Sequence, residues 1–295
     1  MEDLKRRHNI EKYTFVSSSI GYNDEVYFLF SEHVPERING MFVNSRANTG
    51  YKVVHGLVDW PSEKLLYEEC FDLGVHEMNF HFVQPIRQDI LLLGARAGLR
   101  DGIYEKNASI VNEKGKVLNT IFLGDGIEDC IVTTDGRIIT SYFDEGVFGD
   151  FPLGNKGLIV WDSAGQPIWK NEHYAIYDCY AMNIDEQENL WFYYYDEFNL
   201  VRTDFQRDLV YHPEINGITK FLLTKGNQLM CDGGYNKHGQ FYKMDILYDR
   251  LENMETVNLE HEGSNILLQD SVFRSSKAIF TDNRNHLYFK DVIYL

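Results

Sequence analysis

Carboxylates at repeated spacing are the side chains in this sequence best suited to chemistry. Ile127-Glu128-Asp129-Cys130 and Ile176-Tyr177-Asp178-Cys179 share the pattern I-x-D-C, each leading into an apolar run. A D-E pair follows each run: Asp144-Glu145 behind Tyr142-Phe143, and Asp196-Glu197 behind Tyr193-Tyr194-Tyr195. Asp232 and Glu32 hold the corresponding place after other runs, and Asp125, Tyr177 and Tyr235 lie in the same set of loops. Acids gathered from distant segments repel one another until a cation, a basic protein surface or a proton relieves them. A hard cation such as Ca²⁺ takes about six to eight oxygens from Asp, Glu and amide groups. Each acid can equally cap its own turn or face water.

Other chemistries find no footing. There is no G-x-S-x-G elbow, H-E-x-x-H helix or G-x-x-x-x-G-K-[ST] loop, and Gly233-Gly234 lacks a strand-to-helix context for holding phosphate. His173, His212 and His261 fall in loops of the same kind as the acids; a surface or turn role is the commoner one for each. Cys70, Cys130, Cys179 and Cys231 form no C-x-x-C and are expected as reduced thiols packed like small apolar groups.

The 295 residues carry 28 Lys+Arg against 45 Asp+Glu, a net charge of −17, which argues against broad contact with nucleic acid or anionic lipid. Basic proteins, cations or neutral small molecules are the partners it admits. The charged start, Met1 to His8, has no apolar stretch behind it, and runs such as Ile90-Leu91-Leu92-Leu93 are far too short to span a bilayer. A cytoplasmic location is expected.

Short alternating apolar segments bounded by Gly, Asn, Asp or charged clusters run from end to end, which predicts an all-β chain. They also repeat. Ala181-Met182-Asn183-Ile184-Asp185 to Leu190-Trp191-Phe192 and Ala278-Ile279-Phe280-Thr281-Asp282 to Leu287-Tyr288-Phe289 both read A-x-x-x-D-x-x-x-x-L-[WY]-F. Weaker strand-turn-strand copies lie at 131–139, 221–229 and 82–91, and another precedes Val26. Second hairpins follow at 110–118 and 158–169, giving four strands per unit. Second-strand anchors at Val26, Leu91, Ile138, Leu190, Leu229 and Leu287 recur about every fifty residues, the size of a four-stranded propeller blade.

The chain therefore resembles the six-bladed β-propellers, the broad group that includes NHL-repeat proteins and gluconolactonase-like hydrolases. The resemblance implies one propeller domain over 1–295, with four-stranded antiparallel blades. The last unit lacks room for a fourth strand, so the segment from Arg6 to Ile10 is expected to supply it and close the ring. The irregular stretch 57–78, with Pro61 and Leu65-Leu66, is expected to be an insertion carrying a short helix.

Two functions from different classes follow. One is a non-enzymatic module that binds a basic protein partner, such as a toxin met by an inhibitor or immunity protein, through an acidic, aromatic face. That face comprises Asp125, Glu128, Asp129, Asp144, Glu145, Tyr177, Asp178, Asp196, Glu197, Asp232 and Tyr235, and needs no cofactor. The alternative, implied by resemblance to the gluconolactonase-like group, is a lactonase or esterase-type hydrolase with a divalent ion at the axial channel. Glu128, Asp129, Asp178 and Asp232 are then its ligands, with Asn79 or His81 as additions. A small molecule received at the channel is a third use of the same place.

Overall fold

The computed structural model describes residues 1–35, 44–237, 239–261 and 263–293. Their contacts divide the chain into two compact units. An N-terminal unit comprises Glu2–Val58 and Leu65–Tyr177; a C-terminal unit comprises Met1, Asp59–Lys64 and Asp178–Leu295.

Three four-stranded antiparallel sheets build the N-terminal unit. The first is β1 (Thr14–Ile20), β2 (Val26–Ser31), β3 (Arg46–Asp59) and β4 (Lys64–Met78), in that order. The second contains β5 (Phe82–Ile86) and β6 (Asp89–Leu93). After a small ribbon of β7 (Leu99–Arg100) and β8 (Ile103–Tyr104), it adds β9 (Ala108–Val111) and β10 (Val117–Ile121). The third is β11 (Ile127–Val132), β12 (Ile138–Tyr142), β13 (Leu158–Trp161) and β14 (Pro167–Lys170).

The C-terminal unit repeats the plan with β15 (Asp178–Ile184), β16 (Leu190–Tyr195), β17 (Leu200–Thr203) and β18 (Asp208–Tyr211), and then with β19 (Phe221–Leu223), β20 (Gln228–Asp232), β21 (Phe241–Ile246) and β22 (Leu251–Val257). A two-stranded ribbon, β23 (Glu260–His261) with β24 (Ser264–Asn265), precedes the last sheet: β25 (Leu268–Arg274), β26 (Lys277–Asp282) and β27 (Leu287–Asp291). The fold is that of a six-bladed β-propeller, as the repeat predicts.

Consecutive sheets within a unit pack face to face, which is why their central strands are apolar on both sides. Every residue of β2 is buried. Leu29 and Val53 of the first sheet meet Val83 and Leu92 of the second, whose opposite face sends Leu91 and Leu93 against Val132 and Ile138 of the third. In the C-terminal unit, Trp191 and Leu200 meet Leu223 and Leu229, and Leu222 and Met230 meet Ala278 and Phe280. Cys130, Cys179 and Cys231 are buried outside any disulfide in this scheme, and burial raises the thiols of Cys130 and Cys231.

Three expectations are corrected. The stretch 57–78 holds no helix: β3 and β4 form one long hairpin, and Pro61 lies in its turn, where Glu63 takes a left-handed φ of 59°. The misleading signal was helical in type, but Phe71 and Leu73, two apart, are the buried residues of β4. The turn also buries Trp60 against Phe289, ring centroids 6.3 Å apart, and Glu63 pairs with Lys290.

The N-terminal segment is likewise not a strand. Glu2–Arg7 form α1, with Glu2 and Asp3 in the first turn and three basic residues in the last, the polarity a helix dipole favours. Leu4 and Ile10 bury themselves, and Arg7 and His8 pair with Glu68. Among the described residues, the last sheet therefore has three strands.

Finally, the two strongest repeat copies sit at different places in their sheets. Asp185 follows a first strand, whereas Asp282 follows the second, so Leu287 opens a third strand rather than a second. The shared pattern encodes a turn. Asp185 accepts hydrogen bonds from the Gln187 and Asn189 backbones, Trp191 Nε1 and Arg202; Asp282 accepts from the Arg284 and His286 backbones, the His286 ring and Tyr288.

Candidate functional site

In the N-terminal unit, the loop after β6, the loop before β11 and the segment after β12 come together around Arg96. Its Nε and Nη2 donate to Asp125 Oδ1 and Oδ2 at 3.0 and 3.2 Å, and Nη1 donates to Glu145 Oε2 at 2.6 Å. The Ala97 backbone donates to Asp125 at 2.6 Å, and the guanidinium lies 5.9 Å from the Phe143 ring centre. Burial disfavours the Arg96 charge, but the two carboxylates outweigh it and raise its pKa. The relief that converging acids require is thus built into the chain at this point.

Close approach of these loops depends on glycine. A Cβ on Gly126, at φ 73°, would collide with the backbone of Gly146. Gly146 lies in α2 (Asp144–Val147), which begins with Asp144-Glu145; Asp144 accepts from the backbone N–H of Glu145. Just beyond, Phe148 is 71% exposed and stacks on the half-exposed Tyr177, centroids 5.8 Å apart. Glu128 is exposed, and Asp129 accepts the Cys130 N–H. Asn79 and His81 serve the adjoining loops: Asn79 donates to the Asn44 carbonyl and His81 Nδ1 accepts from the Ala95 N–H. Glu32, just past the end of β2, pairs with Lys12.

The C-terminal unit presents aromatic rings among its acids. Asp178 opens β15 opposite Tyr195, the last residue of β16. Tyr180 shares a short hydroxyl hydrogen bond with Tyr235, and Phe198 stands 5.5 Å from Tyr195 and 6.0 Å from Tyr235. Tyr195 and Tyr235 are 41% and 46% exposed. Burial and the bond to Tyr235 raise the Tyr180 hydroxyl, so it remains protonated. Gly217, at φ 81°, lets the chain turn against the Tyr235 ring, where a Cβ would collide. Its N–H donates to Tyr193 Oη, which itself donates to Ile215, so the turn that backs the ring is fixed.

The acids here have local partners. Asp232 accepts from the Thr219 N–H at 3.0 Å and its hydroxyl at 2.5 Å; Glu197 accepts from Tyr194 Oη and Asn199; Asp196 is exposed. His261 packs edge-on to Tyr288, and Glu262 lies outside the described residues. Among the described residues, no group of three or more His, Cys, Asp or Glu side chains is placed to hold a metal ion. Asp232 holds the segment before β19 through Thr219; of the four nominated ligands, Glu128 and Asp129 belong to the N-terminal unit and Asp178 and Asp232 to the C-terminal unit.

Arg96, Phe148, Tyr180 and Phe198 were not singled out by sequence reasoning. Arg96, flanked by Gly94-Ala95 and Ala97-Gly98, was legible only as a lone cation in a small-residue loop. Among the described residues, no helix is long and apolar enough to cross a membrane.

No family model and no curated protein matches the chain. Solved structures do. A catalytically inactive variant of virginiamycin B lyase from Staphylococcus aureus, crystallised with quinupristin, superposes with a TM-score of 0.52 at 9% identity, covering 94% of each chain. YCF48 from Cyanidioschyzon merolae gives 0.51 at 11% identity over 98% of this chain and 81% of its own. The RRP9 WD40 repeats give 0.51 at 8% identity over 94% and 79%. At such identities the likeness concerns the fold alone.

Proposed function

We propose that this protein is a non-enzymatic β-propeller module that captures a basic protein partner through its acidic, aromatic surface. The cluster of Tyr180, Tyr195, Phe198 and Tyr235 carries the reading: large rings, Tyr195 and Tyr235 half open to solvent, held by the Tyr180–Tyr235 hydrogen bond, with Asp178 beside Tyr180 and opposite Tyr195. Pre-fixed tyrosines offer broad contact with little entropy left to lose on binding. The charge of −17 supports a basic partner, since complementary potentials speed encounter and reject acidic proteins. A basic toxin met by an inhibitor or immunity protein is a partner of this chemistry.

The test is affinity capture with the wild type and with Tyr195→Ser and Tyr235→Ser, at low and high salt. A basic protein retained by the wild type, released as salt rises and lost from the variants, supports the reading. Salt-insensitive capture unaffected by the substitutions overturns it. A divalent ion bound stoichiometrically after purification without chelator overturns it in favour of the hydrolase.

A further inference from the structure

At the opposite end of β5 and β6 from Arg96, the N-terminal unit holds a cavity of about 290 Å³ with a distinct chemistry. It lies among the β1–β2 turn, the β5–β6 turn and Glu113, which sits in the turn between β9 and β10. Its inner wall is aromatic. Tyr27 and His55 face each other across β2 and β3 with rings 4.9 Å apart, and Phe71 stacks on the far side of His55 at 6.2 Å. Leu57 and Ile90 complete the apolar lining.

Glu25 and Glu113, with Asp89 further round, supply the anionic part of the lining, and Asn23 and Gln88 a neutral polar part. Glu25 is only 6% exposed. It accepts a hydrogen bond from the Asn23 N–H at 2.9 Å and a long one from Tyr27 Oη at 3.4 Å, and both donors are neutral. A desolvated carboxylate is costly without a countercharge, and charged groups this deep are normally paired. His55 does not serve: burial lowers its pKa despite the opposing pull of Glu25, Glu69 and Glu113, so its ring is neutral at pH 7. Arg87 is at the exposed rim, with its guanidinium donating to Ser163.

An apolar aromatic wall beside an anion is complementary to an organic cation, whose carbon stem packs against the rings while its charge meets the carboxylate. The volume sits at the low end of ligand cavities and suits a small molecule. We propose that this cavity binds a small organic ammonium ion, its charged nitrogen against Glu25 and Glu113 and its carbon stem against Tyr27, His55 and Phe71. The site is independent of the partner surface, and either can fail alone.

Calorimetric titration of the full chain at pH 7 with butylammonium and phenylethylammonium, against butanol and phenylethanol, tests it. The expected result is saturable binding of the ammonium ions, with the neutral alcohols weaker by at least about tenfold, because the carboxylates find no cation in them. Glu113→Gln lies on an exposed turn and preserves folding; it should weaken binding several-fold, and Glu25→Gln, checked for folding by circular dichroism, should weaken it more. Free lysine and a lysine-containing peptide distinguish a free amine from a protein side chain: tighter binding of the peptide overturns the small-molecule assignment. Absence of saturable ammonium binding, equal binding of the alcohols, or unchanged binding by folded Glu113→Gln overturns the site.

Discussion

Replacing Asp282 with asparagine offers a direct measure of what the turn motif contributes. The carboxyl is 7% exposed; burial alone would raise its pKa, but the hydrogen bonds from His286, Arg284 and Tyr288 outweigh it and lower the value from 3.8 to about 2. Nearly two pH units at about 1.4 kcal/mol each sets an upper bound of about 2.5 kcal/mol. The turn lies near solvent, which screens these interactions, so about 1–2 kcal/mol is expected. Because the folded-state pKa is depressed, this stability is fully present above the unfolded value of about 4 and is lost as pH falls towards about 2. Urea midpoints for wild type and Asp282→Asn, taken from pH 7 to pH 3, isolate the contribution from that of other acids. The difference should be largest near neutrality and should shrink by about half at pH 3. A difference that stays constant, or grows on acidification, refutes the assignment of the shift to this hydrogen-bond set.

Further outcomes are expected. Arg96→Met leaves Asp125 and Glu145 without their shared cation; with these side chains a fifth to a third exposed, thermal unfolding should register about 1–2 kcal/mol of destabilisation. A cycle with Glu145→Gln should show coupling of about 0.5–1 kcal/mol, and additive effects would deny the pair. Trp60→Ala removes a side chain only 6% exposed from its place on Phe289, and should cost about 3 kcal/mol in chemical denaturation. Under the non-enzymatic reading, millimolar Ca²⁺, Mg²⁺, Mn²⁺ or Zn²⁺ should leave the melting temperature unchanged, since only an ion bound by the folded state raises it.

The blade pattern was legible because alternation and turn chemistry are local. Val26, Leu91, Ile138, Leu190 and Leu229 all lie on second strands as read. Leu287 does not: its Asp-to-aromatic pattern specifies a tight turn with a hydrogen-bonded ring behind it, and such a turn can join any two adjacent strands. The β3–β4 hairpin was misread because Pro61 and Leu65-Leu66 resemble a helix start, whereas burial along β4 is decided by what lies beneath Phe71 and Leu73. The site was less legible still. Glu145 is legible from the repeated D-E pair and Asp125 from its glycine-flanked loop, but the cation that joins them comes from Arg96, and no pattern in the sequence ties that loop to theirs. The cavity wall of Tyr27, His55 and Phe71 draws on three strands of one sheet, so it exists only once that sheet has formed.

The seating of the β3–β4 turn also bears on how this protein is made. Glu63 and Lys290 are 227 positions apart, and Trp60 rests on Phe289 at a similar separation. Closing so long a loop is entropically expensive, and it must await other structure that brings the ends near. During synthesis, a bulky indole emerges from the ribosome long before the ring that will cover it has been made. A nascent chain halted short of Phe289 lacks that part of the indole's cover, and exposed apolar surface of this kind is what chaperones and proteases engage.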